Sequence, residues 1–211
     1  MQSSTIRSAL RALCLLCGLA IAMPSLADSA RTRTWRAIGV IDGPAVPFTT
    51  AAYFPRPLST GEVVEMTFRI NTAAQAFVTG TLATYEGAIL SARVSGSDWS
   101  IPLRRPLARG AASITNDDPN SGDSLSLTAV TPSAPGQTSY EVSIQLANPG
   151  GPNPGPGPWA PFRSLALPKV PPSLGYFPNT VFYVIARRDL AGQAVDGGAY
   201  FGHVIYVGAS D

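Results

Sequence analysis

Apolar and polar side chains alternate along several stretches of this chain, and this alternation is what most constrains its fold. The pattern is clearest over residues 140–146 and recurs over 64–70 and 124–130. Successive side chains of a β-strand point to opposite faces of the sheet. A period of two residues therefore predicts strands that have one buried face and one face in solvent.

Residues 180–186 and 199–207 are apolar on both faces, as expected of central or doubly covered strands. Weaker strand candidates are residues 33–41, 88–94 and 111–115. Clusters of Gly, Asn, Asp, Ser and Pro separate the candidates at intervals typical of antiparallel proteins. The sequence predicts an all-β fold over residues 28–211, a single antiparallel β-sandwich, with a partly open β-barrel as the alternative.

The N-terminal segment, residues 1–27, has the three zones of a secretory signal peptide. Arg7 and Arg11 precede an apolar run over 12–23, and small residues then favour a cut after Ala27. The run is shorter than the roughly 20 residues that a membrane-spanning helix needs. A buried or membrane-anchoring helix and a lipoprotein signal are the alternatives. We expect an exported protein, periplasmic or extracellular, with no transmembrane segment in the mature chain.

Removal of that segment changes the composition of what remains. Both cysteines, Cys14 and Cys17, leave with it, which excludes a disulfide framework and a thiolate metal site. Arg7 and Arg11 account for the formal net charge of +2, so the mature chain is neutral. A neutral domain lacks the positive surface that nucleic acid requires, and we exclude nucleic acid as a partner.

Residues 149–178 are rich in proline, with ten prolines in thirty positions. Proline lacks the N–H that a central strand would donate, so no central strand passes here. A linker between two domains is one interpretation. The segment also contains Trp159, Phe162 and Phe177, and the chain after it is too short for a second core. We therefore predict one domain with a proline-rich loop lying across it.

Residues with catalytic potential are few. The mature chain has one histidine, His203, and no Gly-x-Ser-x-Gly motif. Because its alternate neighbours in the sequence are apolar, we interpret His203 as a structural histidine. The four glutamates show no pairing typical of a glycosidase. They are Glu62, Glu65, Glu86 and Glu141. The sequence predicts a non-enzymatic protein.

One acidic loop suggests a metal ion. Asp117, Asp118, Asn120 and Asp123 offer oxygen ligands of the kind that calcium prefers, with a glycine among them for a sharp turn. Their order departs from that of an EF-hand loop. A hairpin loop rich in Asx turns is the alternative. No cofactor is expected apart from this calcium ion.

Two tryptophans lie in loop-like sequence and suggest a ligand-binding surface. Exposed aromatic rings stack on sugars, and Trp99 and Trp159 are the candidates for such contacts. Core packing is the alternative, since buried tryptophan supplies much of the apolar area of a small domain.

Three segments of the chain resemble the β-sandwich body of secreted bacterial proteins of the PEP-CTERM class. These are Gly61–Phe68, Tyr85–Ala88 and the stretch from Ile114–Asp117 to Asp123–Leu125. Residues 207–211 contain neither the Pro-Glu-Pro tag nor the apolar helix and arginine cluster of that class, so membrane sorting by that route is not implied. The resemblance implies an extracytoplasmic, non-enzymatic protein associated with surface polysaccharide.

These observations favour a binding or surface-matrix module, with a glycan as the expected ligand. The alternative is a subunit of an extracellular or envelope assembly that docks through sheet edges or the proline-rich loop. A polysaccharide-acting hydrolase comes third. The expected partners are accordingly polysaccharide or envelope proteins.

Overall fold

A computed structural model of the chain describes residues 31–45, 53–118, 122–148, 162, 164–188 and 196–210. The chain divides into two units, residues 1–32 and residues 33–211, and nearly all described residues belong to the second. The predicted signal peptide at 1–27 lies outside the described residues.

Antiparallel β-strands make up almost all of the regular structure. The strands are β1 (Thr32–Pro44), β2 (Val63–Asn71), β3 (Phe77–Thr79), β4 (Leu82–Glu86), β5 (Ile89–Ser95), β6 (Ser100–Leu103), β7 (Arg109–Asp118), β8 (Gly122–Val130), β9 (Thr138–Asn148), β10 (Asn179–Arg188) and β11 (Asp196–Ser210). A 3-10 turn covers Leu174–Tyr176. Among the residues that the structure describes, no helix has the length and apolar character needed to cross a bilayer.

The eleven described strands form one sheet in the order β3-β4-β7-β8-β9-β10-β11-β1-β2-β5-β6. The sheet curls into a half-barrel, because β5 also contacts β7, β8 and β9 across the interior and β6 contacts β9. The prediction of an all-β antiparallel fold is confirmed. Because all eleven described strands join a single sheet, the architecture corresponds to the partly open barrel, the alternative given by the sequence.

The core lies inside the curl and is built by the alternation seen in the sequence. In β2, Met66 and Phe68 are fully buried, whereas Thr67 between them faces outward. Leu125 and Leu127 of β8 are buried in the same way. Full burial of an apolar side chain of this size stabilises the fold by about 1.5–3 kcal/mol. The repeated pattern therefore holds the sheet in its curled form.

Two glycines leave room for the ring of Phe182 in this core. A Cβ atom added at Gly39 would lie 2.5 Å from Cε1 of Phe182, and one added at Gly202 would lie at the same distance from that atom. Gly39 is in β1 and Gly202 is in β11, opposite Phe182 in β10. The absence of side chains at these two positions lets the aromatic ring lie over the neighbouring strands.

Long connections pack onto the core as well. Phe54 contacts the ring of Tyr200 edge-on, with centroids 5.0 Å apart. Phe162 and Phe177 are both buried and their ring centroids are 5.7 Å apart. The hydroxyl of Tyr85 donates a hydrogen bond to the carbonyl of Leu165. The described part of the proline-rich segment thus lies against the sheet, while residues 149–161 fall outside the described residues.

A glycine bulge joins β1 to the start of β2. The N–H of Gly61 donates to the carbonyl of Ile41 at 2.8 Å, and the N–H of Ile41 donates to the carbonyl of Glu62 at 2.9 Å. Gly61 has φ = +84°, the left-handed conformation that this type of bulge requires at its first position. The bulge therefore sets the position of Glu62, directly before the first residue of β2.

Candidate functional site

Uncharged polar side chains line up across the outer face of β4, β7, β8 and β9, beside the ion pair of Glu86 with Arg109. Strand pairing aligns Thr84 with Ser113, Ser113 with Ser126 and Ser126 with Gln145, in one row across four strands. Thr128 and Ser143 form a second row beside it. We call these six residues the polar ladder. Strands lie about 4.7–4.9 Å apart, so the four-strand row spans roughly 14 Å.

The hydroxyl and amide groups of the polar ladder are available to a ligand. Within the described residues, none of the six side chains makes a hydrogen bond to another protein group. Thr84, Ser113, Ser126 and Thr128 line a shallow groove together with Leu82 and Arg109. A hydroxyl both donates and accepts hydrogen bonds. The groove therefore suits a ligand that carries many hydroxyl groups.

Sequence reasoning located only part of this surface. Alternation places Ser126 and Ser143 on the outer faces of their strands, and the structure confirms that placement. It does not show which outward residues stand side by side, because cross-strand pairing is set by the register. Register itself has no signature in a single sequence. Thr84 was missed altogether, because β4 was not predicted as a strand.

Trp99 belongs to the core rather than to an exposed loop. Only 7% of the residue is accessible, and the indole Nε1 donates a 2.8 Å hydrogen bond to Oε1 of Glu62. This corrects the prediction that Trp99 presents its ring to a ligand. The sequence around Trp99 is typical of a loop, which does not reveal that its ring packs inward beneath the β5–β6 turn. Trp159 lies outside the described residues.

Arg56 connects two carboxylates beside Trp99. Its guanidinium group donates to both oxygens of Glu62, at 2.8 and 3.0 Å, and also to Asp98, the nearest contact being 2.8 Å. Burial alone would raise the pKa of Glu62, but hydrogen bonds from Arg56, Trp99 and the N–H of Ser59 outweigh it and lower that pKa. The hydrogen bond from Arg56 likewise lowers the pKa of Asp98. The cluster ties the 53–62 connection to the β5–β6 turn.

Every glutamate of the chain lies in an ion pair with an arginine. The pairs are Glu62 with Arg56 at 2.8 Å, Glu65 with Arg36 at 2.6 Å, Glu86 with Arg109 at 3.6 Å and Glu141 with Arg187 at 3.2 Å. A glycosidase acid is normally a carboxyl group whose pKa is raised by an apolar environment. Three of these pairs join neighbouring strands, and the pair of Glu62 with Arg56 lies in the connection that leads to β2.

His203 faces solvent on the outer side of β11. Half of its side chain is exposed, and Nδ1 lies 2.8 Å from Oδ1 of Asp42. The prediction that His203 lies on an apolar face is wrong, because its ring contacts a carboxylate at the surface. The register pairs it with Val40 in β1.

The acidic loop is described only in part. Asp118 accepts a hydrogen bond of 2.9 Å from the hydroxyl of Thr81. Asp123 is buried, and the N–H of Phe162 approaches its Oδ2 at 3.5 Å. The side chain of Asp117 and all of Asn120 lie outside the described residues. No group of three or more His, Cys, Asp or Glu residues that could hold a metal occurs among those described. The calcium site stays a prediction.

One edge of the sheet is apolar and exposed. β3 is the terminal strand, and its Phe77 and Val78 are 75% and 54% accessible, with Leu82 of β4 close by at 39%. The register places Phe77 opposite Thr84 and Val78 opposite Ala83. An edge strand offers unpaired backbone N–H and C=O groups to another strand.

Comparison of the chain with protein families, with curated proteins and with solved structures gave no match.

Proposed function

We propose that this chain is an exported, non-enzymatic binding or surface-matrix module, and that its polar ladder binds a neutral glycan. The alignment of Thr84, Ser113, Ser126 and Gln145 across four strands is the observation that carries the proposal. The row is uncharged, and no described residue forms a hydrogen bond with its side chains.

The chemistry of this surface supports a polyhydroxyl ligand. A sugar hydroxyl exchanges hydrogen bonds with water for hydrogen bonds with Ser, Thr or Gln, and each such exchange contributes about 0.5–1.5 kcal/mol. A single contact is therefore weak. A row spanning roughly 14 Å engages consecutive sugar units of one chain, so affinity grows with the length of the oligosaccharide.

A glycan array followed by calorimetry with the best ligand tests the proposal. The variant Thr84→Val/Ser113→Ala/Ser126→Ala should lose binding, and Ser126→Arg should block the groove. Ser100→Ala is the matched control, since Ser100 is an exposed hydroxyl residue on β6, outside the ladder. Unchanged thermal melting would show that the variants are folded. An array without any bound neutral glycan, or equal binding by the triple variant, would refute the proposal.

Export has its own test. The chain is expressed with its native N-terminus, and intact-mass spectrometry is applied to the protein recovered outside the cytoplasm. The expected result is the mass of a chain that starts at Asp28. Retention of residues 1–27 in cytosolic protein would contradict export.

A subunit of an envelope assembly is the second candidate, and the exposed edge at Phe77 and Val78 favours it. Main-chain pairing along β3 would add a strand from another protein and cover these side chains. Light scattering coupled to size exclusion compares the wild type with Phe77→Lys/Val78→Lys, and Ile205→Lys, on an internal strand of the sheet, serves as an exposed apolar control. A monomeric wild type that retains no envelope protein on an affinity column would contradict this candidate.

A further inference from the structure

Three arginines lie together on the outer face at the opposite end of the sheet from the polar ladder. Arg69 of β2, Arg93 of β5 and Arg104, which directly follows β6, line one groove with Thr34, Thr67 and Ser91. We call this the arginine groove. It is formed by β1, β2, β5 and β6, whereas the polar ladder is on β4, β7, β8 and β9.

The strand register interleaves the charges with hydroxyl groups. Arg69 stands opposite Ser91, and Arg93 stands opposite Thr67. Arg69 and Arg93 are therefore diagonal neighbours, about 7–8 Å apart. Leu103 pairs with Ala92, which puts Arg104 at the next position along, beside Ser91. All three arginines are exposed.

These positive charges have no partner among the residues that the structure describes. In the part of the chain that the structure describes, Arg69, Arg93 and Arg104 make no ion pair or side-chain hydrogen bond. The acids nearest along these strands are already bound. Glu65 pairs with Arg36 at 2.6 Å, and Arg56 holds both Glu62 and Asp98.

Like charges at this spacing repel one another, and a bound anion would relieve that repulsion. Guanidinium groups bind carboxylates with two parallel hydrogen bonds, which a lysine cannot do. The threonine and serine hydroxyls between the arginines suit the hydroxyl groups of a sugar ring. Both functional groups occur together on a uronic acid.

We propose that the arginine groove binds a carboxylated polysaccharide, a polymer of uronic acids. The proposal goes beyond the neutral glycan assigned to the polar ladder, because it adds a second site with a different ligand chemistry. Nucleic acid is disfavoured because the groove has no aromatic lining residue on which bases would stack. An anionic lipid surface is disfavoured because the lining lacks the large apolar side chains that enter a bilayer.

The test measures binding of the mature protein to polygalacturonate and to alginate by calorimetry. Dextran serves as the neutral polymer, monomeric galacturonate and inorganic phosphate as free anions, and single-stranded DNA and phosphatidylglycerol vesicles as other polyanions. Each of Arg69→Gln, Arg93→Gln and Arg104→Gln should weaken binding to the acidic polymers about tenfold. Arg93→Lys should fall between wild type and Arg93→Gln, because it keeps the charge and loses the bidentate geometry.

Arg188→Gln is the matched control, since Arg188 is an exposed arginine of β10 outside the groove. It should bind like the wild type. The polar-ladder triple variant should also retain acidic-polymer binding, so that failure at one site is distinguishable from failure at the other. Four outcomes would overturn the proposal: no binding to either acidic polymer, equal losses in Arg188→Gln, tighter binding of phosphate or galacturonate than of the polymers, or preference for DNA or vesicles.

Discussion

The indole Nε1 of Trp99 donates a 2.8 Å hydrogen bond to Oε1 of Glu62, thirty-seven residues earlier in the chain. This contact joins the β5–β6 turn to the bulge that starts β2. The glutamate side chain is largely buried, with 12% of it accessible. The hydrogen bond therefore satisfies a carboxylate that water reaches poorly.

Replacing Trp99 by phenylalanine should destabilise the protein more than the same change at Trp35. Trp99→Phe removes a hydrogen bond to a charged group, and we expect a loss of about 2–3 kcal/mol. Trp35 is buried and its Nε1 has no partner among the described residues, so Trp35→Phe deletes an unsatisfied donor along with ring volume. That variant should lose about 1 kcal/mol. Urea unfolding followed by far-UV circular dichroism measures both, and equal losses would contradict this account.

Glu62 should make stability depend on acid pH. Its pKa is lowered in the folded protein from an ordinary value of 4.5, so its contribution is complete above that value and is lost as the pH falls through the lowered pKa. Glu62→Gln should be less stable near neutral pH and should show a flatter pH dependence in the acid range. Glu86→Gln, in an exposed pair, is the control and should follow the wild type closely. Parallel curves for wild type and Glu62→Gln would contradict the prediction.

The loss of stability on substituting Gly61 should depend on the backbone preference of the new residue alone. A Cβ atom there meets nothing within 4 Å, so the whole cost comes from φ = +84°. We expect Gly61→Ala to lose about 1–2 kcal/mol and Gly61→Asn to lose less, because asparagine enters the left-handed region more readily. Thermal unfolding at a fixed pH gives the ranking. A Gly61→Asn variant that is less stable than Gly61→Ala would show that the cost of substitution does not come from φ.

At Gly39, by contrast, the loss of stability on substitution should come from the lack of space for a side chain. Gly39→Ala places a methyl group against the ring of Phe182 and should lose about 1–3 kcal/mol. In a Phe182→Leu background the same change should be less costly, since the overlapping ring atoms are gone. A double-mutant cycle measures this coupling, and the pair Gly61→Ala with Phe182→Leu is the additive control. Additivity at Gly39 would contradict direct contact.

The sequence predicts the long strands well, because each has enough residues to display its period. The eight predicted stretches correspond to β1, β2, β5, β7, β8, β9, β10 and β11. The three strands that were missed, β3, β4 and β6, have three, five and four residues. In such short strands alternation is hard to distinguish from chance. Pro102 also lowers the strand signal of β6, yet proline is tolerated on that outermost strand.

The candidate surfaces depend on information that a pattern along one strand lacks. Alternation indicates that Arg69 and Ser126 face outward, but only the register brings Arg69 beside Ser91 or Ser126 beside Gln145. Turn-like sequence around Trp99 could not reveal that Glu62 would accept its N–H. Contacts between residues far apart in the chain decide both surfaces and the environment of that tryptophan.

The pairing of β1 with β11 has a consequence for how the molecule matures. β1 hydrogen-bonds to β11, so the paired residues are separated by most of the polypeptide. Contacts of such high sequence separation slow folding, and here they cannot form until the C-terminal strand has been synthesised. A nascent chain of this kind leaves the ribosome without its finished structure, and the export that we propose would require such an unfolded chain.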